Sequence, residues 1–174
     1  VVTLEALSRV QEMLGQIDPA RATLQKALAA TPDGTVRCRL LTRLSTILFD
    51  VGQPTDALHL LDQAIATDPN TGARAGLIAC FYGQFEASAK YFGAQASGST
   101  SARFLEGNAA LKGGQFAVAS RAFDQAFASA TTPADRAYAV ERIIASARQS
   151  KTLSGLADNW LAQPNLSDDR LLAL

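Results

Sequence analysis

Gly15-Gln16-Ile17, Gly52-Gln53-Pro54, Gly83-Gln84-Phe85 and Gly114-Gln115-Phe116 are four copies of one phrase, and their glycines stand 37, 31 and 31 residues apart. The residues around each copy line up. Seven before the glycine stand Ser8, Ser45, Gly76 and Gly107; five after it stand Ala20, Ala57, Ser88 and Ala119. Nine after it come the large apolar residues Leu24, Leu61, Phe92 and Phe123, and twelve after it Ala27, Ala64, Gln95 and Ala126. Aligned columns at a period of 20–50 residues mark a tandem repeat whose units stack on one another.

The 174 residues are 48% hydrophobic and 18% charged. That is enough apolar material for a continuous core and too little charge for a disordered chain. Alanine is plentiful and β-branched residues are sparse, which favours helix over strand. A net charge of +0 argues against a nucleic-acid binder that works by neutralising many phosphates. Cys38 and Cys80 have no CxxC spacing, so two separate buried thiols are expected, not a disulfide framework or a zinc site. No apolar run approaches the length of a membrane helix. The chain opens on Val1-Val2 and stops at Leu171-Leu172-Ala173-Leu174. This is expected of a piece of a longer protein.

Helical spacing and break signals divide the chain into pairs of helices. Leu4, Leu7, Val10 and Leu14 form a stripe that Gly15 ends, and Asp18 with Pro19 is expected to cap the second helix, which Pro32 stops. Leu41, Leu44 and Leu48 repeat the stripe, Gly52 breaks it and Pro69 closes the pair. The units run about 1–34, 38–70, 71–99, 100–131 and 133–163, the last started by Thr132-Pro133 and stopped by Pro164. That fifth unit lacks the Gly-Gln phrase, and its register is open by one residue. Residues 167–174, beginning Ser167-Asp168-Asp169, read as a truncated or capping eleventh helix.

These residues resemble the tetratricopeptide repeat, a helix-turn-helix unit of about 34 residues. With each Gly-Gln glycine numbered fifteen, the family expects small residues at eight, twenty and twenty-seven, bulky ones at four, seven, eleven and twenty-four, and Pro at thirty-two. The first unit supplies Leu4, Leu7, Ser8, Ala20, Leu24, Ala27 and Pro32; the second Leu41, Leu44, Ser45, Leu48, Ala57, Leu61, Ala64 and Pro69. Gly72 at four, Gln95 at twenty-seven, and Arg103 and Glu106 in the fourth unit depart from it. The resemblance implies one all-α domain over 1–174, a right-handed α-α superhelix of about five helix-turn-helix units plus part of an eleventh helix.

Little here offers catalysis. His59, the only histidine, lies between Asp56 and Asp62 on a helical face, where local charge pairing is its ordinary role. No HExxH, nucleophile elbow or phosphate loop is present. No catalytic, cofactor or metal residues are therefore expected. Asn165-Leu166-Ser167 matches a glycosylation acceptor, a pattern common by chance.

The resemblance instead implies work done by surface. In this family positions two, five, six, nine, twelve and thirteen of the first helix face a concave groove. Here they include Arg9, Arg39, Arg43, Thr46, Phe49, Arg74, Leu77, Phe81, Phe104 and Asn108. Arginines grip carboxylates in bidentate fashion and aromatic rings anchor apolar groups. The expectation is a non-catalytic protein-interaction scaffold that takes a protein or peptide, acidic for choice, with self-association through the end helices as a further partner reading. The family's clamp for chaperone tails is not reproduced: Glu5, Arg9, Arg43, Asn70 and Arg74 occupy its positions, and only Arg74 matches. The alternative is a periplasmic assembly segment of a bacterial envelope system, similar to repeat scaffolds for cellulose-type exopolysaccharide export through an outer-membrane pore. The Ala- and Arg-rich, Lys-poor composition suits such a source. The sequence names no compartment; the export reading favours the periplasm, the bare scaffold reading allows the cytoplasm.

The small columns carry the first testable consequence. Ala57→Leu or Ala119→Leu should overpack a helix crossing and cost about 1–3 kcal/mol. Thermal melts check this, and an unchanged melting temperature in both variants contradicts the placement.

Overall fold

The computed structural model describes residues 2–31, 34–95, 99–163 and 167–171. Pro32, Pro164, Asn165, Leu166 and Leu172 to Leu174, all read above from sequence, lie outside them. Among the described residues the chain is built from eleven α-helices without a strand. They are α1 (Val2–Met13), α2 (Ile17–Ala29), α3 (Thr35–Asp50), α4 (Pro54–Thr67), α5 (Gly72–Phe81), α6 (Phe85–Gln95), α7 (Thr100–Lys112), α8 (Phe116–Ser129), α9 (Pro133–Gln149), α10 (Leu153–Leu161) and α11 (Asp168–Leu171). A 3-10 turn, Pro69–Thr71, precedes α5. The chain divides into two compact units, Val1–Ile78 and Ala79–Leu174, with the division falling inside α5.

Every Gly-Gln phrase makes the same turn. Gly15, Gly52, Gly83 and Gly114 have φ of 70, 74, 73 and 73°, a left-handed conformation that glycine enters without a Cβ penalty. The following glutamine then turns its N–H back to a carbonyl five residues earlier: Gln16 to Gln11 at 2.8 Å, Gln53 to Leu48 at 2.8 Å, Gln84 to Ala79 at 2.8 Å and Gln115 to Ala110 at 2.8 Å. The glycine N–H reaches three residues back, as from Gly15 to Glu12 at 2.9 Å. These two bonds close a helix C-terminus. The same glutamine's carbonyl accepts the first bond of the next helix, from Ala20, Ala57, Ser88 or Ala119. One residue thus ends one helix and starts its antiparallel partner.

That economy corrects the expected cap. Asp18 does not cap α2; Gln16 does, by its backbone alone. Asp18 sits inside the first turn and bonds Arg21 at 2.9 Å, where its charge also complements the helix dipole. Where the link is longer, side-chain caps return: the Thr132 hydroxyl accepts from Asp135 N at 3.1 Å, and Ser99 accepts from Ala102 N.

The turn also settles the fifth register. Thr152 N bonds Ala147 O at 2.9 Å and Lys151 N bonds Arg148 O at 3.2 Å. Lys151 stands in the glycine's place with φ 61°. It is therefore position fifteen of the fifth unit, and Val140, Ile143 and Trp160, all buried, fall at four, seven and twenty-four.

In the first unit α1 packs on α2, α2 on α3, and α3 on α4. Ala20, Leu24 and Ala27 of α2 meet Leu40, Leu44 and Ile47 of α3 in one core cluster, while Cys38 and Leu41 pack with Ala64 of α4 in another. In the second unit α6 packs on α7, α7 on α8 and α8 on α9, around Phe92, Phe123, Ile143 and Trp160. Position eight is small for a reason visible at Gly107: a Cβ there would lie 2.6 Å from Cε1 of Phe123, the residue at position twenty-four. Serine fills the same column in the first two pairs because its hydroxyl bonds its own helix, Ser8 to Glu5 O at 2.9 Å and Ser45 to Thr42 O at 2.7 Å. Buried hydroxyls so satisfied cost little.

Two apolar expectations change. Cys38 is buried but Cys80 only half so. Leu7, Val10 and Leu14 form the helical stripe yet stand exposed, because no described helix packs on that side of α1.

Lys151 offers a direct test of the turn. A non-glycine residue in the left-handed region is strained by about 1–2 kcal/mol, and glycine gives part of that back as unfolded-state entropy. Lys151→Gly should therefore stabilise the protein by about 0.5–1 kcal/mol, a rise in melting temperature of roughly 1–4 °C. Gly52→Ala should lower it by a similar amount.

Candidate functional site: the first-helix faces

Residues expected to face a partner fall in both units. Arg9, Arg39, Arg43, Thr46, Phe49, Arg74 and Leu77 belong to the first, Phe81, Phe104 and Asn108 to the second.

In the first unit the arginines meet acids of their own chain. Arg39 Nε and Nη2 bond the two Glu5 oxygens at 2.8 and 2.7 Å. One turn on, Arg43 holds Glu12 in the same bidentate way, at 2.9 Å for both bonds. Arg9 adds a third cation 3.6 Å from Glu5 and remains largely exposed. The sequence places these partners 34 and 31 residues apart, and only the antiparallel stacking brings α1 and α3 side by side. The Arg39 bonds hold the Glu5 carboxyl below its usual range, against the opposing effect of burial. They hold the Arg39 guanidinium above its own. Thr46 turns inward on its helix, its hydroxyl bonding Arg43 O at 2.7 Å, and Phe49 is buried. Arg74 and Leu77 of α5 are exposed. Arg39 and Arg74 line one hollow of about 250 Å³ with Thr35, Thr42, Asp68 and Asn70.

The second unit presents a different chemistry. Phe104 of α7 meets Tyr138 of α9 edge to face, with centroids 4.9 Å apart and an 86° interplanar angle. Asn108, one turn from Phe104, donates its amide to the Tyr138 hydroxyl at 3.1 Å. The Arg142 guanidinium lies over the Tyr138 ring, 4.9 Å from its centroid. All four side chains are half-buried, so the patch is held from behind and open in front. Phe81 is exposed and packs edge to face on its neighbour Tyr82 at 5.0 Å.

Tyr138 and Arg142 are missing from the expected set. With Lys151 at fifteen they occupy positions two and six, both first-helix face positions. The left-handed lysine, invisible to a search for Gly-Gln, concealed them. Glu5 and Glu12 also sit at face positions, as the acids that the arginines require.

At the far side of the second unit, Arg170 of α11 bonds Asp124 at 2.7 Å and lies over Phe127 and Trp160, 4.5 and 5.3 Å from their centroids. Burial raises the Asp124 carboxyl even though the Arg170 charge and hydrogen bond oppose it. His59 is exposed, its ring 3.3 Å from the Gln63 amide. Among the described residues no group of three or more His, Cys, Asp and Glu is placed to hold a metal. Nor is any helix there long and apolar enough to cross a membrane.

Glu5 gives the site a pH signature. A carboxyl held below its unfolded value stabilises the fold at pH above that value, near 4.5, and the contribution is lost as pH falls through the folded value. Glu5→Gln should thus lower the melting temperature at pH 7, and the gap to the parent protein should close as the pH drops below about 4. Paired melts across that range measure it.

Residues 104–154 match the tetratricopeptide repeat family model. No curated protein sequence matches the chain. Among solved structures, one of MamA superposes with a TM-score of 0.56 at 15% identity, covering 90% of this chain and 86% of that one. A second MamA structure gives 0.52 at 16% identity, covering 87% and 88%. The nearly identical tetratricopeptide-like repeats of kinesin-light-chain type from Podospora anserina give 0.53 at 15%, covering 90% and 89%. At such identities the likeness is one of fold. It agrees with the four left-handed turns, the small columns packed at zero or near-zero exposure, and the match over the fourth and fifth units. Residues 104–154 thus match the tetratricopeptide-repeat family, and the chain has the all-α fold of tetratricopeptide-repeat solenoids.

Proposed function

We propose that this chain is a non-catalytic scaffold that holds a protein or peptide partner on the first-helix faces of its repeats. The observation that carries the reading is the Phe104–Tyr138 pair with Asn108 and Arg142 around it. Two rings locked edge to face and bonded from the side lose little freedom when a ligand arrives, which is how aromatic anchors contribute most to binding. Asn108 offers a donor and an acceptor beside them, and Arg142 a cation suited to a carboxylate.

The first unit plays a different part in this proposal. Arg39 and Arg43 already hold Glu5 and Glu12, so an acidic partner there would have to displace a bidentate carboxylate. Arg9 and Arg74 are better placed to meet one. An acidic segment would therefore gain from these outer arginines, and an apolar or aromatic anchor from the α7–α9 patch.

Peptides selected from a displayed library on the intact protein should lose affinity at least tenfold, about 1.4 kcal/mol, with Asn108→Ala or Arg142→Glu. Arg74→Glu should weaken acidic peptides alone. Melting temperatures taken alongside separate lost binding from lost fold. Unchanged affinity in both Asn108→Ala and Arg142→Glu overturns the assignment to this face.

A further inference from the structure

We infer that Asp124 and Phe127 of α8, with Trp160 of α10, form a binding pocket for an arginine side chain. Arg170 of α11 is its resident occupant, and an arginine of a protein partner takes the same seat in its place. The pocket is built from second helices, so it does not rest on the first-helix patch proposed above.

All three walls favour positive charge. Oδ1 of Asp124 accepts from Nη2 of Arg170 at 2.7 Å. The guanidinium carbon lies 4.5 Å from the Phe127 ring centroid and 5.3 Å from that of Trp160. Aromatic ring faces are negative and attract a cation, Trp most strongly. A planar guanidinium stacks on rings and hydrogen-bonds within its own plane at once, which the point charge of a lysine cannot do. The occupant is well enclosed, with the Arg170 side chain only 13% exposed. Among the described residues Arg170 is the one cation paired with Asp124. Because the seat is filled from a helical turn, it has room for a side chain that arrives on a backbone.

Helix stacking by itself does not call for this arrangement. The counterpart of Phe127 in the first hairpin is Leu28, which packs against Cys38, Leu41 and Ala64 with no charge among them. With Lys151 at fifteen, position twenty-seven of the fifth unit is Gln163, where Ala27, Ala64 and Ala126 stand in the first, second and fourth. Its Oε1 accepts from Nη1 of Arg170 at 3.4 Å. Position twenty-four is Trp160, the chain's only tryptophan, where the other units use leucine or phenylalanine. Polar and aromatic side chains thus replace alanine and leucine where the guanidinium lies.

The resident fit is incomplete, and this permits exchange. In the first unit Arg39 sets Nε and Nη2 on the two oxygens of Glu5. Arg170 sets Nη2 alone on one oxygen of Asp124, and its Nε is buried without a hydrogen-bond partner. A buried donor left unpaired keeps its desolvation penalty. The attachment of Arg170 to α11 fixes its direction of approach. An arginine from a partner is free of that constraint and can take the two-bond geometry on Asp124, the stronger form of the contact.

The test titrates N-acetyl-arginine amide, which stands in for an arginine within a peptide, into the full chain while the fluorescence of Trp160 is read. Saturable binding is expected in Arg170→Ala, and binding at least tenfold weaker in the parent protein, where the resident side chain competes. Adding Asp124→Asn to Arg170→Ala should weaken binding at least tenfold, and N-acetyl-lysine amide should bind Arg170→Ala at least tenfold less tightly. Arg170→Met, which keeps an aliphatic stem over the rings, is the second variant should the first unfold. Should both be unfolded at the working temperature, the arginine analogue should raise their melting temperatures by filling the vacated seat. No saturable response and no such rise, equal affinity in the parent protein, indifference to Asp124→Asn, or equal binding of the lysine analogue each overturns the inference.

Discussion

The constraint from which the rest follows is a backbone bond: the N–H at position sixteen reaching back to the carbonyl at position eleven. It leaves three residues between one helix and the next, one of them left-handed. A link so short fixes both the antiparallel direction and the separation of the helices it joins. Close separation then dictates the side chains. At Gly107 the ring of Phe123 fills the space where a Cβ would stand, so a small residue at eight is the condition for a large one at twenty-four. Ala20, Ala57, Ser88 and Ala119 are fully buried for the same geometric reason. The core of this protein is accordingly made of small residues at contacts and a few large ones in the gaps, close-packed without needing many aromatic side chains.

The charges follow from the same stacking. Arg39 with Glu5 and Arg43 with Glu12 span neighbouring first helices, and each arginine uses two N–H groups on two carboxylate oxygens. Exposed ion pairs contribute little stability, but these are geometrically demanding, and Glu5 is nearly buried. Sliding α1 against α3 by one turn would break both bidentate pairs and leave the buried Glu5 carboxylate only its longer contact with Arg9. Their main effect is thus on register. Matching these charges across the helix seam removes two arginines from the set free to meet a ligand.

Sequence reasoning reached the repeat because the columns record steric conditions local to each hairpin, and those conditions recur. It missed what depends on conformation or on distant neighbours. Lys151 adopts the glycine's φ without being glycine, held by the two bonds of the turn, so the fifth unit lost its landmark and Tyr138 and Arg142 went unplaced. Asp18 before Pro19 carries the usual cap chemistry, yet the glutamine backbone does that work two residues earlier. Leu7, Val10 and Leu14 have the period of a core stripe. Periodicity reports that a face is apolar, and says nothing of whether another helix lies on it. The acids opposite Arg39 and Arg43 are more than thirty residues away, beyond any local pattern.

The two extremes of helix coverage in this molecule are built differently, and the contrast says what each can tolerate. In α11, Arg170 bonds Asp124 and lies over Phe127 and Trp160. Nη1 bonds Gln163 and Nη2 bonds Asp124, while Nε is buried without a hydrogen-bond partner, so the contact depends on one residue and on the ionisation of an acid whose burial already disfavours its charge. The outer side of α1 has no such arrangement. Its exposed leucine and valine side chains carry no donor or acceptor. Shape selection between helices works through the alternation of small and large residues. Small residues at twenty and twenty-seven with a large one at twenty-four are shared by α2 and α8, which is why the faces of α3 and α9 that they cover obey a single packing rule.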